Sequence, residues 1–216
     1  MKEMFKVPEL GAKVPRDGGR FTHWLGKRFL KSTGWCFSGE FPNCSKMIIA
    51  VAPHTSNWDF FIGLAVKFCF KLKIQFLGKH TIFVPIIGKL LRYWGGIPVE
   101  RSKAHGVVNQ LTEIFAKQNE LVLCLSPEGT RKRIDQWKTG FVQIARHARV
   151  PVLLVGFDYQ VKKIKIGPLV SVGDDIEVAM EKIYRFFSNV SAKYPESFYI
   201  PEIYLTHNKT EKKVDN

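Results

Sequence analysis

A chain of 216 residues fits one domain, and a hydrophobic fraction of 45% supplies a real core, which excludes a disordered polymer. Thirty-three Lys and Arg face 19 Asp and Glu, so the formal charge is +14 and the partners to expect are anionic: nucleic acid, acidic lipid headgroups or phosphorylated substrates. There is no zinc-finger spacing of Cys and His, no basic region leading into heptads and no RNP-like aromatic string, so nucleic acid is set aside.

Residues 1–20 are polar, with Pro and Gly, and read as a flexible lead-in that lacks the apolar stretch of a signal peptide. Phe21 to Phe37 reads as a helix in which Trp24, Leu25, Phe29 and Trp35 alternate with Arg28 and Lys31. Within 21–40 this amphipathic segment either packs on the domain or lies in a lipid interface, where Trp anchors and cations meet anionic headgroups. Met47–Ala52 is a short apolar run, predicted as a buried strand. Pro53–Asn57 breaks the chain, and Trp58–Leu72 follows as a helix with Ser56 or Asn57 as its cap.

Further along, strands are predicted at Ile74–Leu77, Ile97–Val99, Leu121–Leu125, Val152–Gly156 and Tyr159–Ile166. Helices are predicted at Val84–Trp94, starting near Pro85, at Lys103–Gln118, at Gly140–Ala148 and within Asp174–Tyr194. Residues 21–205 thus form a single α/β domain, a mixed central sheet flanked by helices on both faces, and 206–216 is a polar tail. The four cysteines form no CxxC pair, and Cys69 and Cys124 sit in apolar runs, as in a protein kept in a reducing cytosol. No window of 18 uncharged apolar residues exists, so no transmembrane helix is expected.

Three segments carry chemistry. His54 and Asp59 are five residues apart, a turn of roughly 500° that would separate them on one ideal helix. They can meet only if His54 stays in the loop and Asp59 enters the first helical turn, where it would also favour the helix dipole. An Asp carboxylate on one ring nitrogen then leaves the other free as a general base for a hydroxyl. Ser126-Pro127-Glu128-Gly129-Thr130-Arg131-Lys132-Arg133 leaves a buried strand carrying a carboxylate, a permissive Gly, a hydroxyl and three cations. Arg131 offers a bidentate fork for phosphate, and Lys132 and Arg133 serve equally well as a solvated basic loop. Gly95–Arg101 ends a strand in a second Arg, which either binds phosphate or pairs with a surface acid.

Together these blocks resemble the glycerolipid acyltransferase family, the one containing 1-acyl-glycerol-3-phosphate acyltransferases. His54 to Asp59 is similar to its His-x4-Asp block, Gly95 to Arg101 to its Gly-rich block ending in Arg, Pro127 to Arg131 to its Pro-Glu-Gly-Thr-Arg block, and Val150-Pro151 to its fourth. The resemblance implies an O-acyltransferase of phospholipid biosynthesis. His54 and Asp59 are its catalytic pair, and Glu128, Gly129, Thr130, Arg131 and Arg101 form the acceptor site. The donor is acyl-CoA or acyl carrier protein, the acceptor is a lysophospholipid such as 1-acyl-glycerol-3-phosphate, and no metal or other cofactor is implied. The enzyme would be cytoplasmic and peripheral on the anionic inner face of a membrane. Ser126, Lys132, Trp58 and Pro98 depart from common family choices near the acceptor site, which leaves a different lysolipid acceptor as an alternative, and a second enzyme reading is thioester hydrolysis with His54 activating water.

Overall fold

The computed structural model describes residues 5–99 and 104–205. In chain order the elements are α1 (Arg20–Ser32), β1 (Cys36–Ser38), β2 (Lys46–Ala52), α2 (Trp58–Phe70), β3 (Ile74–Lys79), α3 (Pro85–Tyr93), β4 (Gly96–Val99), α4 (Ala104–Lys117), β5 (Leu121–Leu125), α5 (Gly140–Ala148), β6 (Val152–Asp158), β7 (Lys163–Val170) and α6 (Ile176–Phe187). The strands form one sheet in the order β1-β7-β6-β2-β5-β3-β4. Strands β6, β2, β5, β3 and β4 run parallel, while β7 is antiparallel to β6 and carries β1 parallel to itself, which makes the sheet mixed.

The period of two in the central strands sorts their side chains between two cores. Ile48 and Ala50 of β2, Leu121 and Leu123 of β5 and Val152 and Leu154 of β6 face a core closed by α4, α5 and α6. Their neighbours Met47, Ile49, Val122, Leu153 and Val155 face the opposite core, closed by α1 and α2. Both faces of the sheet are covered, so the central strands read as continuous apolar runs.

Three local expectations are corrected. The helix beginning near Phe21 ends at Ser32 instead of Phe37, because Gly34 turns the chain at φ +82° and Cys36–Ser38 pairs with β7. The strand expected from Tyr159 starts at Lys163: Tyr159–Lys162 is the turn of a hairpin, in which Asp158 accepts the Gln160 and Val161 amides and Lys162 takes φ +49°. The lead-in is also packed over residues 5–19. Val14 is buried, the Lys73 amide donates to the Pro15 carbonyl, and Asp17 meets the Lys67 Nζ at 2.8 Å. Lys67 is buried in α2, and a buried ammonium needs such a partner, so the lead-in is recruited to neutralise it. The expected tail, 206–216, lies outside the described residues.

Candidate active site

Three adjacent parallel strands, β5, β2 and β6, end at the same edge of the sheet, where open α/β sheets place their ligands. Beyond β2 comes His54, beyond β5 the loop from Ser126, and beyond β6 Tyr159. Sequence separations of about 70 and 100 residues are thereby closed to hydrogen-bond distances.

Asp59 sits in the first turn of α2 and His54 in the loop before it, the arrangement that the spacing requires. The Ser56 amide donates to Asp59 Oδ2 at 2.7 Å, and the Trp58 amide donates to Ser56 Oγ at 3.2 Å. Ser56 therefore caps α2 reciprocally with Asp59, while Asn57 makes no side-chain cap. His54 Nδ1 lies 3.3 Å from the same Oδ2, and Asp59 is buried. His54 Nε2 is left for whatever enters the site.

Asp59 Oδ1 is occupied as well. The Tyr159 hydroxyl donates to it at 2.5 Å. Burial first, then the bond and charge of Asp59, push the Tyr159 phenol well above its ordinary range, so it stays protonated and keeps donating. Trp35 fixes the phenol ring edge-on, with centroids 5.0 Å apart. Sequence reasoning missed Tyr159 because it looks like a strand residue 100 positions away; its place directly after an apolar strand was the one available signal.

Glu128 turns toward His54. Its Oε2 accepts the His54 amide at 2.7 Å and the Ser126 hydroxyl at 3.1 Å. Glu128 is buried, and desolvation raises its carboxyl from 4.5 to about 7. This side chain ties the two loops together. Gly129 takes φ +64° and its amide closes a turn onto the Ser126 carbonyl, a conformation that suits glycine. Thr130 Oγ1 accepts the Lys132 amide at 3.2 Å, so its hydroxyl serves the turn. Arg131 and Lys132 are exposed, and Arg133 stacks over the Tyr199 ring at 5.4 Å. The loop is pinned behind them by buried Trp137, whose indole Nε1 donates to the Tyr199 carbonyl. Arg101 lies outside the described residues, although β4 ends at the same edge of the sheet.

His54 and Asp59 stand in the wall of a cavity of about 710 Å³, within the range of ligand pockets. The rest of the wall is mainly apolar, from Phe60 and Leu64 of α2, Phe76 and Leu77 of β3, and Phe141 and Ile144 of α5. The cavity draws on side chains from both sides of the sheet. A polar corner thus opens onto a deep apolar space, an arrangement suited to an acyl chain with a reacting carbonyl at its end. Among the described residues no three His, Cys, Asp or Glu side chains converge as a metal-holding group.

A family model described as Acyltransferase matches residues 36–158, more than half of the chain. Among solved structures the fold is similar to that of the 1-acyl-sn-glycerophosphate (LPA) acyltransferase PlsC from Thermotoga maritima. The TM-score is 0.56 at 19% identity, over 81% of this chain and 80% of that one. No curated protein matches the sequence.

Proposed function

The chain belongs to the acyltransferase family, and from that premise we propose that it transfers a fatty acyl group from a thioester to the hydroxyl of a lysophospholipid at an anionic membrane surface. One observation carries the reading: the His54–Asp59 pair, at 3.3 Å, stands at the wall of a large apolar cavity. A base alone would suit many reactions; a base beside an acyl-sized apolar space suits this one.

In the proposed reaction His54 Nε2 takes the proton of the acceptor hydroxyl as its oxygen attacks the thioester carbonyl carbon. Asp59, on Nδ1, fixes the tautomer and stabilises the imidazolium. The C–O bond forms, the C–S bond breaks, and the imidazolium returns its proton to the departing thiolate. Tyr159 and the Ser56 amide hold the Asp59 carboxylate, and Glu128 holds the His54 backbone. Arg131, with Arg101, takes the acceptor phosphate. The donor is acyl-CoA or acyl carrier protein, and 1-acyl-glycerol-3-phosphate is the acceptor to test first.

The charge of +14 supports peripheral attachment to the inner face of a membrane. Among the described residues no helix is long and apolar enough to cross one. Mass spectrometry of products from a panel of lysolipids and acyl-CoAs tests the reading: a diacyl product that requires acceptor, donor and His54 supports it. Thiol release that ignores the acceptor would move the assignment to thioester hydrolysis, and turnover retained by His54→Ala would refute the base.

A further inference from the structure

Helix α3 is apolar on the wrong side for a soluble helix. Gly88 and Leu91 face the protein, while Ile86, Leu90 and Tyr93, at i, i+4 and i+7, form an outward stripe beside Ile87. Ile86 is 86% exposed and Tyr93 85%, and the preceding turn adds exposed Ile82 and Val84. A contiguous apolar patch of this kind marks an interaction surface. Its charged neighbours are basic: Lys79, Lys89 and Arg92 lie in the segment, and no Asp or Glu occurs from Phe60 to Val99. An aliphatic stripe on a segment whose own charges are cationic matches a bilayer with anionic headgroups, where the chains take the stripe and the phosphates take the ammonium and guanidinium groups.

A second segment has the same character. Helix α1 exposes Phe21, Trp24 and Leu25 among Arg20, Lys27, Arg28 and Lys31, with no acidic residue from Gly18 to Gly39. Gly26 lets α1 approach α2 closely, since a Cβ there would stand 2.6 Å from the Ala65 carbonyl oxygen. Phe68 of α2 in turn meets Trp94, directly after α3, edge to face at 6.0 Å. Helix α1 therefore packs on α2, and α2 reaches the end of α3 through Phe68 and Trp94. Helix α2 also exposes Phe61, which contacts Phe60, which contacts Phe76, and the last two line the cavity. A run of aromatic rings thus connects the exposed apolar surface with the interior of the cavity.

We propose that α3 and the turn before it are a membrane-docking element. It inserts Ile86, Ile87, Leu90 and Tyr93 into an anionic bilayer and places the aromatic run so that a lipid chain passes sideways from the bilayer into the cavity. The sideways passage rests on the acyltransferase reading; the docking does not.

Flotation of the full chain with phosphatidylcholine vesicles, with and without phosphatidylglycerol, tests the docking. The wild type floats with the anionic vesicles, and the double variant I86E/I87E loses about tenfold or more of that partition, because two charges would have to enter the apolar layer. Both positions are outside the cavity wall, so its thermal transition and its thiol release with a water-soluble short-chain donor and monomeric acceptor stay within about twofold of wild type. With acceptor embedded in vesicles its rate falls about tenfold. Unchanged flotation of I86E/I87E overturns the proposal. So does a wild-type dimer that this variant dissociates, since the stripe would then be covered by a second copy. A wild type that floats normally but transfers no acyl group to any acceptor would count against the acyltransferase reading and leave the docking standing.

Discussion

The two loops that bear the site motifs are built in opposite ways. In the His54 loop nearly every polar group is engaged: the His54 amide on Glu128, its Nδ1 facing Asp59, the Ser56 amide and the Tyr159 hydroxyl on the Asp59 carboxylate, and Thr55 Oγ1 accepting the Tyr194 amide. In the basic loop Gly129 and Thr130 close a turn, and the Arg131 side chain projects into solvent with no hydrogen bond or ion pair to the described residues. Under the proposed function the contrast reads as a division of labour. A base must be held in place before substrate arrives, because its bond to the reacting proton is made only in a narrow geometry. A phosphate-gripping cation can stay hydrated until an anion replaces its water.

If the division holds, changes in the first loop lower the rate of chemistry and changes in the second weaken acceptor binding. His54→Ala should bring the largest loss, about a thousandfold in kcat, read as thiol release, with the circular dichroism spectrum unchanged. Arg131→Ala should raise KM for an anionic acceptor about tenfold with kcat little altered, and the effect should shrink with a neutral acceptor. A kcat defect in Arg131→Ala with an unchanged KM would break the comparison.

Tyr159→Phe separates positioning from packing. It keeps the ring against Trp35 and removes one donor from Asp59, so kcat should fall about fivefold to tenfold at constant KM. An Asp59 carboxylate with one donor fewer stabilises the imidazolium more strongly, and the acid limb of the pH–rate profile should move to higher pH. A merely structural role would lower stability without moving that limb.

Glu128 gives the smallest effect, on stability. Its carboxyl keeps its proton to about pH 7 in the folded protein and to about 4.5 in the free side chain, so between those values the folded state binds more protons. Its contribution is therefore full below about 4.5 and is lost as pH rises through about 7, by up to about 3 kcal/mol. Glu128→Gln still accepts the His54 amide but does not ionise. Its stability should gain on wild type from pH 5 to pH 8 in urea titrations, and a constant difference across that range would refute the assignment.

Much of this was legible in the sequence. The apolar runs at Met47–Ala52, Leu121–Leu125 and Val152–Gly156 announced buried strands, because a parallel strand covered on both faces has no polar side to show. Helix α5 begins and ends where Gly140 and Ala148 suggested. The misjudged places are those where a distant partner decides. Cys36–Ser38 becomes a strand because β7 lies beside it, the lead-in is packed because Lys67 needs Asp17, and Tyr159 stands in the hairpin turn with its amide on the Ser191 carbonyl and its hydroxyl on Asp59.

The sequence by itself determined the sheet's central strands and that His54 and Asp59 could meet only across a loop-to-helix junction, because periodicity and turn chemistry act over neighbouring residues. Only the tertiary structure decided that Glu128 serves His54, that Tyr159 completes the Asp59 shell, and that α3 shows its apolar side to the outside. Those facts depend on strand order β5-β2-β6 and on which face of a helix the sheet leaves uncovered, and contacts across 70 to 100 residues leave no periodic trace along the chain.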